Sequence, residues 1–198
     1  PRLGDALGRA LAAQLADGRR RRADPDEACV DHGLRKEAAA EAVQVARWCE
    51  PRRIEHHILT WQPPNLTANI QAQARQARYA LLTDWCKSHH VLHLLTAHHT
   101  GDQAEGVMIR LGRGSGIDGL AGIAAQTEKN HVRILRPLLP LSAARCRATL
   151  ATQQQTWIED PSNTAPHYTR TAARYVLAHE ADTVSTRLVA LSSASARA

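Results

Sequence analysis

The chain has 198 residues and a net charge of +6, with 25 Lys and Arg against 19 Asp and Glu. This length suits one large domain with a layered core. The basic balance is expected of a protein that meets phosphates, although many basic proteins bind no nucleic acid. The sequence has no apolar run of about 18 residues and no charged segment followed by an apolar stretch, so we predict neither a membrane span nor a signal peptide.

The cysteines are widely separated in the sequence and form no CxxC pair. They are Cys29, Cys49, Cys86 and Cys146. This spacing indicates neither a zinc knuckle nor a disulfide framework. We therefore expect reduced, buried thiols in a cytoplasmic protein.

Apolar periodicity predicts alternating helices and strands in the first half of the chain. Leucines every four positions predict a short amphipathic helix over residues 3–15. A strand, helix, strand, helix, strand order then follows at residues 28–30, 35–50, 54–61, 70–85 and 91–97. The last strand is uniformly apolar, which suits a strand covered on both faces. This order predicts an α/β fold with a doubly wound parallel sheet, in which ligands bind beyond the carboxyl ends of the strands.

The second half predicts mainly helices and turns. A helix after His99 is closed by a glycine-rich turn, a short strand follows near residues 133–135, and Ser142 caps a helix to about residue 154. A turn at residues 160–163 precedes a helix from Tyr168, and the Ser/Ala tail from Ser192 is expected to be frayed. We divide the chain into a catalytic domain, residues 1–180, and a short helical extension, linker or frayed tail, residues 181–198.

Polar side chains follow two of the predicted strands, where ligands bind in such folds. They are Asp31 and His32 after the first strand and His98 and His99 after the third. Asp102 and Glu105 lie three residues apart in the first turn of the next helix, so their carboxylates share one side of it. We expect all of these side chains except Asp31 to converge at one end of the sheet.

Residues 96–116 thus combine two histidines, two acids and the two arginines Arg110 and Arg113 around one strand-to-helix turn. Each has an ordinary structural interpretation, since histidines cap helices and Asp102 favours a helix N-terminus. Together they are typical of a phosphate site, where a carboxylate holds Mg²⁺ through water, and Asp102 is the candidate ligand. Direct metal binding by the histidines and acids stays open, but the spacing is not HExxH. No serine elbow or Cys-His pair indicates a nucleophile.

Five blocks of the sequence, in this order, resemble those of tRNA(Ile)-lysidine synthetases. They are VDHGLR at 30–35, ARQARYALL at 74–82, TAHHTGDQAE with RLGRGSGIDGLAGI at 96–123, RPLL at 136–139, and WIEDPSN with YTRTAAR at 157–174. Any one block alone would be weak, whereas five in the correct order are specific. The resemblance runs from about Cys29 to Arg174.

The resemblance implies an ATP-pyrophosphatase domain with an adenine nucleotide alpha hydrolase-like fold, using ATP and Mg²⁺. ATP adenylates the C2 oxygen of the wobble cytidine of tRNA(Ile), and the ε-amine of free L-lysine displaces AMP. The family implies catalytic roles for His98, His99, Asp102 and Glu105. It implies ATP binding by Asp31, His32, Arg78, Arg110 and Arg113, and tRNA binding by Arg170 and Arg174, which lie four apart on one helical face. A homodimer is left open.

The sequence departs from the family pattern in two places. The family opens with Ser-Gly-Gly-x-Asp-Ser, whose amides cradle pyrophosphate, whereas Gly4-Asp5-Ala6 is the remnant here and the first strand is missing. The family's adjacent aspartates and Glu-Thr are replaced by Gly101-Asp102 and Glu105-Gly106. We therefore expect weak ATP binding and little lysidine formation. Two alternatives remain: a tRNA-binding remnant without catalysis, and a tRNA thiolation enzyme of the same fold, against which the scattered cysteines argue.

Overall fold

The computed structural model describes residues 26–31, 38–62, 70–158 and 182–195. The strands and helices are β1 (Glu27–Asp31), α1 (Ala38–Cys49), β2 (His56–Thr60), α2 (Ile70–Ser88), β3 (His93–Leu95), α3 (Thr100–Gly112), α4 (Ile117–Leu120), β4 (Gln126–Lys129), β5 (Val132–Leu135), α5 (Ala143–Thr152) and α6 (Asp182–Ser195). The predicted helix at 3–15, the turn at 160–163 and the helix from Tyr168 lie outside the described residues. Within those residues, no helix is long and apolar enough to cross a lipid bilayer.

The described residues form two compact units. The β1–β2 unit comprises the described residues up to 94 together with 128–134, and the α3 unit comprises 95–127, 135–158 and 182–195. The α3 unit contains the predicted strand-to-helix turn. Asp31 and Arg78 belong to the β1–β2 unit.

Strands β1 and β2 pair in parallel, with Glu27 opposite His56 and Asp31 opposite Thr60. Helix α1 connects them and packs against both strands, and α2 packs against β1. Residues Ala42, Val45 and Cys49 form the buried stripe of α1 at helical spacing. A 3-10 turn over Glu50–Arg52 follows, because Pro51 cannot continue the α-helix. The parallel pairing and the strand-helix-strand order confirm the predicted fold class.

Three further strands form a sheet in the order β3, β5, β4. A two-residue turn joins β4 to β5, with φ of 52° at Asn130 and 65° at His131, the signs that a type I′ hairpin requires. The sequence did not predict β4. The expected strand at 91–97 is shorter, and its expected coverage on both faces is wrong: Leu92 and Leu95 are 67% and 53% exposed.

All four cysteines are buried, as predicted, and none is in a disulfide. Burial raises the pKa of the Cys86 thiol, and the negative charge of Asp26 raises it further. Burial also raises the pKa of Cys146, against the opposing charge of Arg145. Both thiols therefore stay protonated at neutral pH, and the thiolate needed for nucleophilic or metal-binding chemistry is disfavoured.

A buried polar network fixes α3 within its unit. The Gln103 Oε1 atom accepts a hydrogen bond from the Ile123 N–H (2.7 Å), and its Nε2 donates to Ser192 Oγ (2.9 Å). The Ser192 hydroxyl donates to the Ala121 carbonyl (2.8 Å). Gly122 lies inside this network with φ of +76°. The Gln103 amide and the Ser192 hydroxyl thus connect α3 to the loop after α4 and to α6.

The C-terminal segment differs from the frayed tail expected from Ser192. Residues 182–195 form helix α6, which packs against α3 and α4. Ser192 is fully buried, and its hydroxyl both donates and accepts a hydrogen bond, which offsets the cost of burying it. The division at residue 181 itself stays a prediction.

Replacing Gly122 by Ala should destabilise the protein by more than about 2 kcal/mol, because a left-handed φ costs an L-residue roughly 1–2 kcal/mol and the network must also move. The added Cβ would lie 2.6 Å from Gln103 Nε2 and would collide with Ser192 Oγ. The control is Gly106→Ala in α3, where nothing lies within 4 Å of the added Cβ. It should gain up to about 1 kcal/mol. Equal urea-unfolding free energies for the two variants would contradict this role of Gly122.

Candidate functional site

The turn between β3 and α3 is closed by a reciprocal cap. His99 is the N-cap residue, and its Nδ1 accepts a hydrogen bond from the Gly101 N–H (3.0 Å). The Asp102 carboxylate accepts one from the His99 N–H (3.0 Å). A neutral imidazole that accepts at Nδ1 carries its proton at Nε2, and this Nε2 lies 3.6 Å from Asp102 Oδ2. Both side chains therefore satisfy backbone groups of the helix N-terminus and face each other.

His98 is buried beside the same turn. Its Nδ1 lies 3.1 Å from the Thr96 hydroxyl oxygen. The backbone of the turn is held by the end of β5 and by the segment that follows it. The Thr96 N–H donates to the Leu135 carbonyl (2.8 Å), and the Thr100 N–H donates to the Leu141 carbonyl (3.0 Å). The RPLL block of the sequence lies in this segment.

The two acids of α3 lie on its buried side. Asp102 and Glu105 are 4% and 3% exposed, alongside the buried Ala104 and Val107. A buried carboxylate costs free energy unless charges or hydrogen bonds compensate it, and the His99 N–H compensates Asp102 in part. A cation bound beside the two acids would compensate both further.

The two arginines at the end of α3 differ in their surroundings. Arg110 donates from Nη1 to the Gly119 carbonyl (2.8 Å), and its own carbonyl accepts from the Ser115 N–H (3.0 Å). Gly114 has φ of +68° and its N–H donates to the Leu111 carbonyl (3.0 Å), which together with the Ser115 bond forms a Schellman C-cap. Arg113 is exposed. A guanidinium has five N–H donors, so Arg110 can brace the glycine-rich turn and still contact a phosphate.

Arg136 is a buried cation that the sequence did not single out as a site residue. It begins the RPLL block, and its Nη1 donates to the Ala124 carbonyl (2.7 Å) and to Thr127 Oγ1 (3.2 Å). Its Nε is buried without a hydrogen-bond partner among the described residues. Arg136 directly follows Leu135, whose carbonyl binds the turn. A permanent positive charge is thus built into the segment that supports the site.

Six of the predicted site residues lie in the α3 unit, four in the turn and first turns of α3 and two at its other end: His98, His99, Asp102, Glu105, Arg110 and Arg113. Asp31 ends β1 and Arg78 lies within α2, both partly exposed, in the β1–β2 unit. Residues His32, Arg170 and Arg174 lie outside the described residues. Their roles, and the expected convergence of His32 with the α3 residues, stay predictions.

Comparison with known proteins agrees with the fold. Residues 8–181 match the family model of the PP-loop domain. The chain belongs to the PP-loop domain family. Its fold is also that of the U34-tRNA thiolase NcsA from Methanococcus maripaludis, solved with its 4Fe-4S cluster, at a TM-score of 0.75 and 15% identity over 99% of this chain and 68% of that one.

Several relatives of this PP-loop domain are tRNA(Ile)-lysidine synthases. It is 42% identical over 154 residues to that of Wolbachia sp. subsp. Brugia malayi, covering 77% of this chain and 36% of the relative. It is 46% identical over 148 residues to that of Rhodopseudomonas palustris, covering 75% and 43%. The chain therefore spans less than half the length of these two relatives.

Replacing His99 by Ala should destabilise the PP-loop domain by about 1 kcal/mol, because α3 loses its side-chain acceptor. The His99→Asn variant should stay within roughly 0.5 kcal/mol of the parent, since Asn is among the best N-cap residues. Urea unfolding measures both. The control is His131→Asn, at an exposed position with φ of 65°, where Asn tolerates the left-handed conformation. An unchanged stability for His99→Ala would refute the capping role.

Proposed function

We propose that this PP-loop domain is the ATP-dependent catalytic part of a tRNA(Ile)-lysidine synthase. The observation that carries the proposal is its identity of 40–46% to such synthases over about three-quarters of the chain. The substrates are ATP, free L-lysine and a tRNA(Ile) with a wobble cytidine. The buried acids and histidines of one turn, with arginines at the other end of α3, supply the groups that this chemistry needs.

The first step transfers an adenylyl group. The C2 oxygen of the cytidine forms a bond to the α-phosphorus of ATP, and the bond from that phosphorus to the bridging oxygen breaks, releasing pyrophosphate. Negative charge accumulates on the leaving group, so arginines aimed at it stabilise the transition state. Arg110 and Arg113 are the proposed phosphate contacts, and Asp31, His32 and Arg78 are the proposed remaining contacts to the nucleotide.

The second step forms the carbon–nitrogen bond. The ε-amine of lysine attacks C2, AMP leaves with the former C2 oxygen, and the nitrogen loses a proton. Glu105 and Asp102 are the proposed carboxylates that bind the incoming lysine as its ammonium, which must pass one proton to a base before its nitrogen has the lone pair for the attack. His98 is the better candidate for the base, because the Nδ1 of His99 is occupied by the Gly101 N–H and its Nε2 carries the proton. His99 then acts by positioning the turn.

Magnesium fits the donor set of the turn. Mg²⁺ prefers carboxylate oxygens and water, and one oxygen of Asp102 accepts only a single backbone N–H in the cap, so the carboxylate keeps further lone pairs for a cation. When bound, Mg²⁺ would neutralise charge on the pyrophosphate. Asp102 is its proposed ligand.

Contacts to tRNA are proposed for Arg170 and Arg174. Their spacing would place both guanidinium groups on one side of a helix, where they can bind backbone phosphates. The net charge of +6 supports an electrostatic contribution of this kind. Binding of this type weakens as salt rises, because each phosphate contact releases counterions.

The thiolation alternative receives less support. The solved thiolase shares the fold at 15% identity, which carries no substrate with it. The four cysteines of this chain are buried and located in different elements. Among the described residues, no group of three close metal-binding side chains includes a cysteine. Sulfur transfer through a cysteine-bound cluster therefore has no structural support here, and the main rival is a tRNA-binding domain without catalysis.

Incubation of the chain with ATP, Mg²⁺, radiolabelled lysine and tRNA(Ile) should incorporate lysine into that tRNA, at a low rate because Gly4-Asp5-Ala6 is only a remnant of the family's pyrophosphate-binding loop. A tRNA without a wobble cytidine should stay unlabelled. Replacing Asp102 by Asn should lower the rate by about 100-fold or more, because it removes a charge that acts in the transition state. The matched control is Glu128→Gln on the exposed strand β4, which should keep the parent rate.

Two results would contradict the proposal. Binding of tRNA(Ile) without lysine incorporation would favour the alternative of a tRNA-binding remnant. Equal rates of lysine incorporation for the Asp102→Asn and Glu128→Gln variants would show that the turn before α3 takes no part in the reaction.

A further inference from the structure

Three side chains with metal-binding chemistry lie close together at the start of the parallel strands. Asp26 precedes β1, Glu55 precedes β2, and His57 is the second residue of β2. The parallel register brings these positions together, and the Glu27 N–H donates to the Glu55 carbonyl (2.8 Å). One ligand atom from each of Asp26, Glu55 and His57 lies within 4.8 Å of the other two.

The spacing is close to that of a metal site. The His57 Nε2 and Glu55 Oε1 atoms are 3.6 Å apart. In a tetrahedral zinc site with bonds of about 2.0 Å, neighbouring ligand atoms are roughly 3.3 Å apart. Asp26 and Glu55 are exposed and can rotate, so only small side-chain movements are needed. Their exposure also leaves room for water as a fourth ligand.

The histidine of this cluster is already oriented. The His57 ring packs against Trp85 with ring centroids 4.7 Å apart, and Trp85 stacks on His89 at 4.2 Å. These contacts come from the end of α2, within the same unit. Binding an ion would therefore cost little ordering of the imidazole, because its rotamer is fixed by packing.

We propose that Asp26, Glu55 and His57 form a binding site for a divalent transition-metal ion, with Zn²⁺ as the best match. Two carboxylates and a neutral imidazole carry a charge that balances a dication, and imidazole favours zinc over magnesium or calcium. The cluster lies at the amino ends of β1 and β2, whereas ligands in α/β folds bind beyond the carboxyl ends. The ion would thus have a structural role, joining β1 to β2, and the proposal is independent of lysidine formation.

Isothermal titration of the chain with Zn²⁺ tests the site. We expect saturable binding of one ion per chain, and a higher Tm in its presence, since the folded state alone holds the cluster together. The His57→Ala and Glu55→Gln variants should each bind Zn²⁺ about tenfold more weakly or worse, the size of loss that even an outer-shell change can cause. The control is His131→Asn, which removes an exposed histidine far along the sequence and should bind Zn²⁺ as the parent does.

The Zn²⁺ affinities of the variants distinguish binding at the Asp26, Glu55 and His57 site from binding to other histidines on the surface. Equal Zn²⁺ affinity in the parent, His57→Ala and Glu55→Gln would overturn the proposal, as would the absence of saturable binding in the parent. Loss of the Trp85 contact could unfold His57→Ala. In that case Glu55→Gln decides, because this exposed side chain has no role in the core.

Discussion

The N-terminal cap of α3 is the interaction on which the candidate site depends. His99 and Asp102 each satisfy a backbone N–H there, so two residues expected to take part in chemistry also fix the turn. A Cβ at Gly101 would come within 2.8 Å of His99 Cε1. An aspartate at this position, as in the family pattern that the sequence resembles, would require the ring to move. The glycine that stands where the family has an aspartate therefore leaves the space that the His99 ring occupies as the helix cap.

Helix α3 is held at three places, which makes it a rigid support for its acids. The cap fixes its beginning, a Schellman motif at Gly114 fixes its end, and the Gln103–Ser192 hydrogen bond joins its first turn to α6. The segment with Arg136 supports the preceding turn. Functional groups on such a rigid element keep their geometry with little loss of entropy on binding.

Sequence patterns predicted the helices, strands and turns formed by neighbouring residues, and they missed the contacts between residues that are distant in the sequence. Strands β1 and β2 and helices α1 and α2 follow from periodicity, to within a few residues at their ends. Strand β4 was missed because its residues Gln126–Lys129 are polar and its turn contains no glycine. The turn from His98 to Glu105 was found because it is one continuous segment. The burial of Ser192 was not predicted, because its partner Gln103 lies 89 residues away in the sequence. The cluster of Asp26, Glu55 and His57 was missed for the same reason, since its residues come from separate segments.

The most direct test of the α3 turn as the reactive centre is NMR of the histidine ring nitrogens during titration with MgATP. The chain has 11 histidines, and Asn variants can assign each resonance. The ring signals of His98 and His99 should shift and saturate with ATP, while that of His131 should not. Unchanged His98 and His99 signals at ATP saturation, with shifts confined to other histidines, would contradict the assignment of the site.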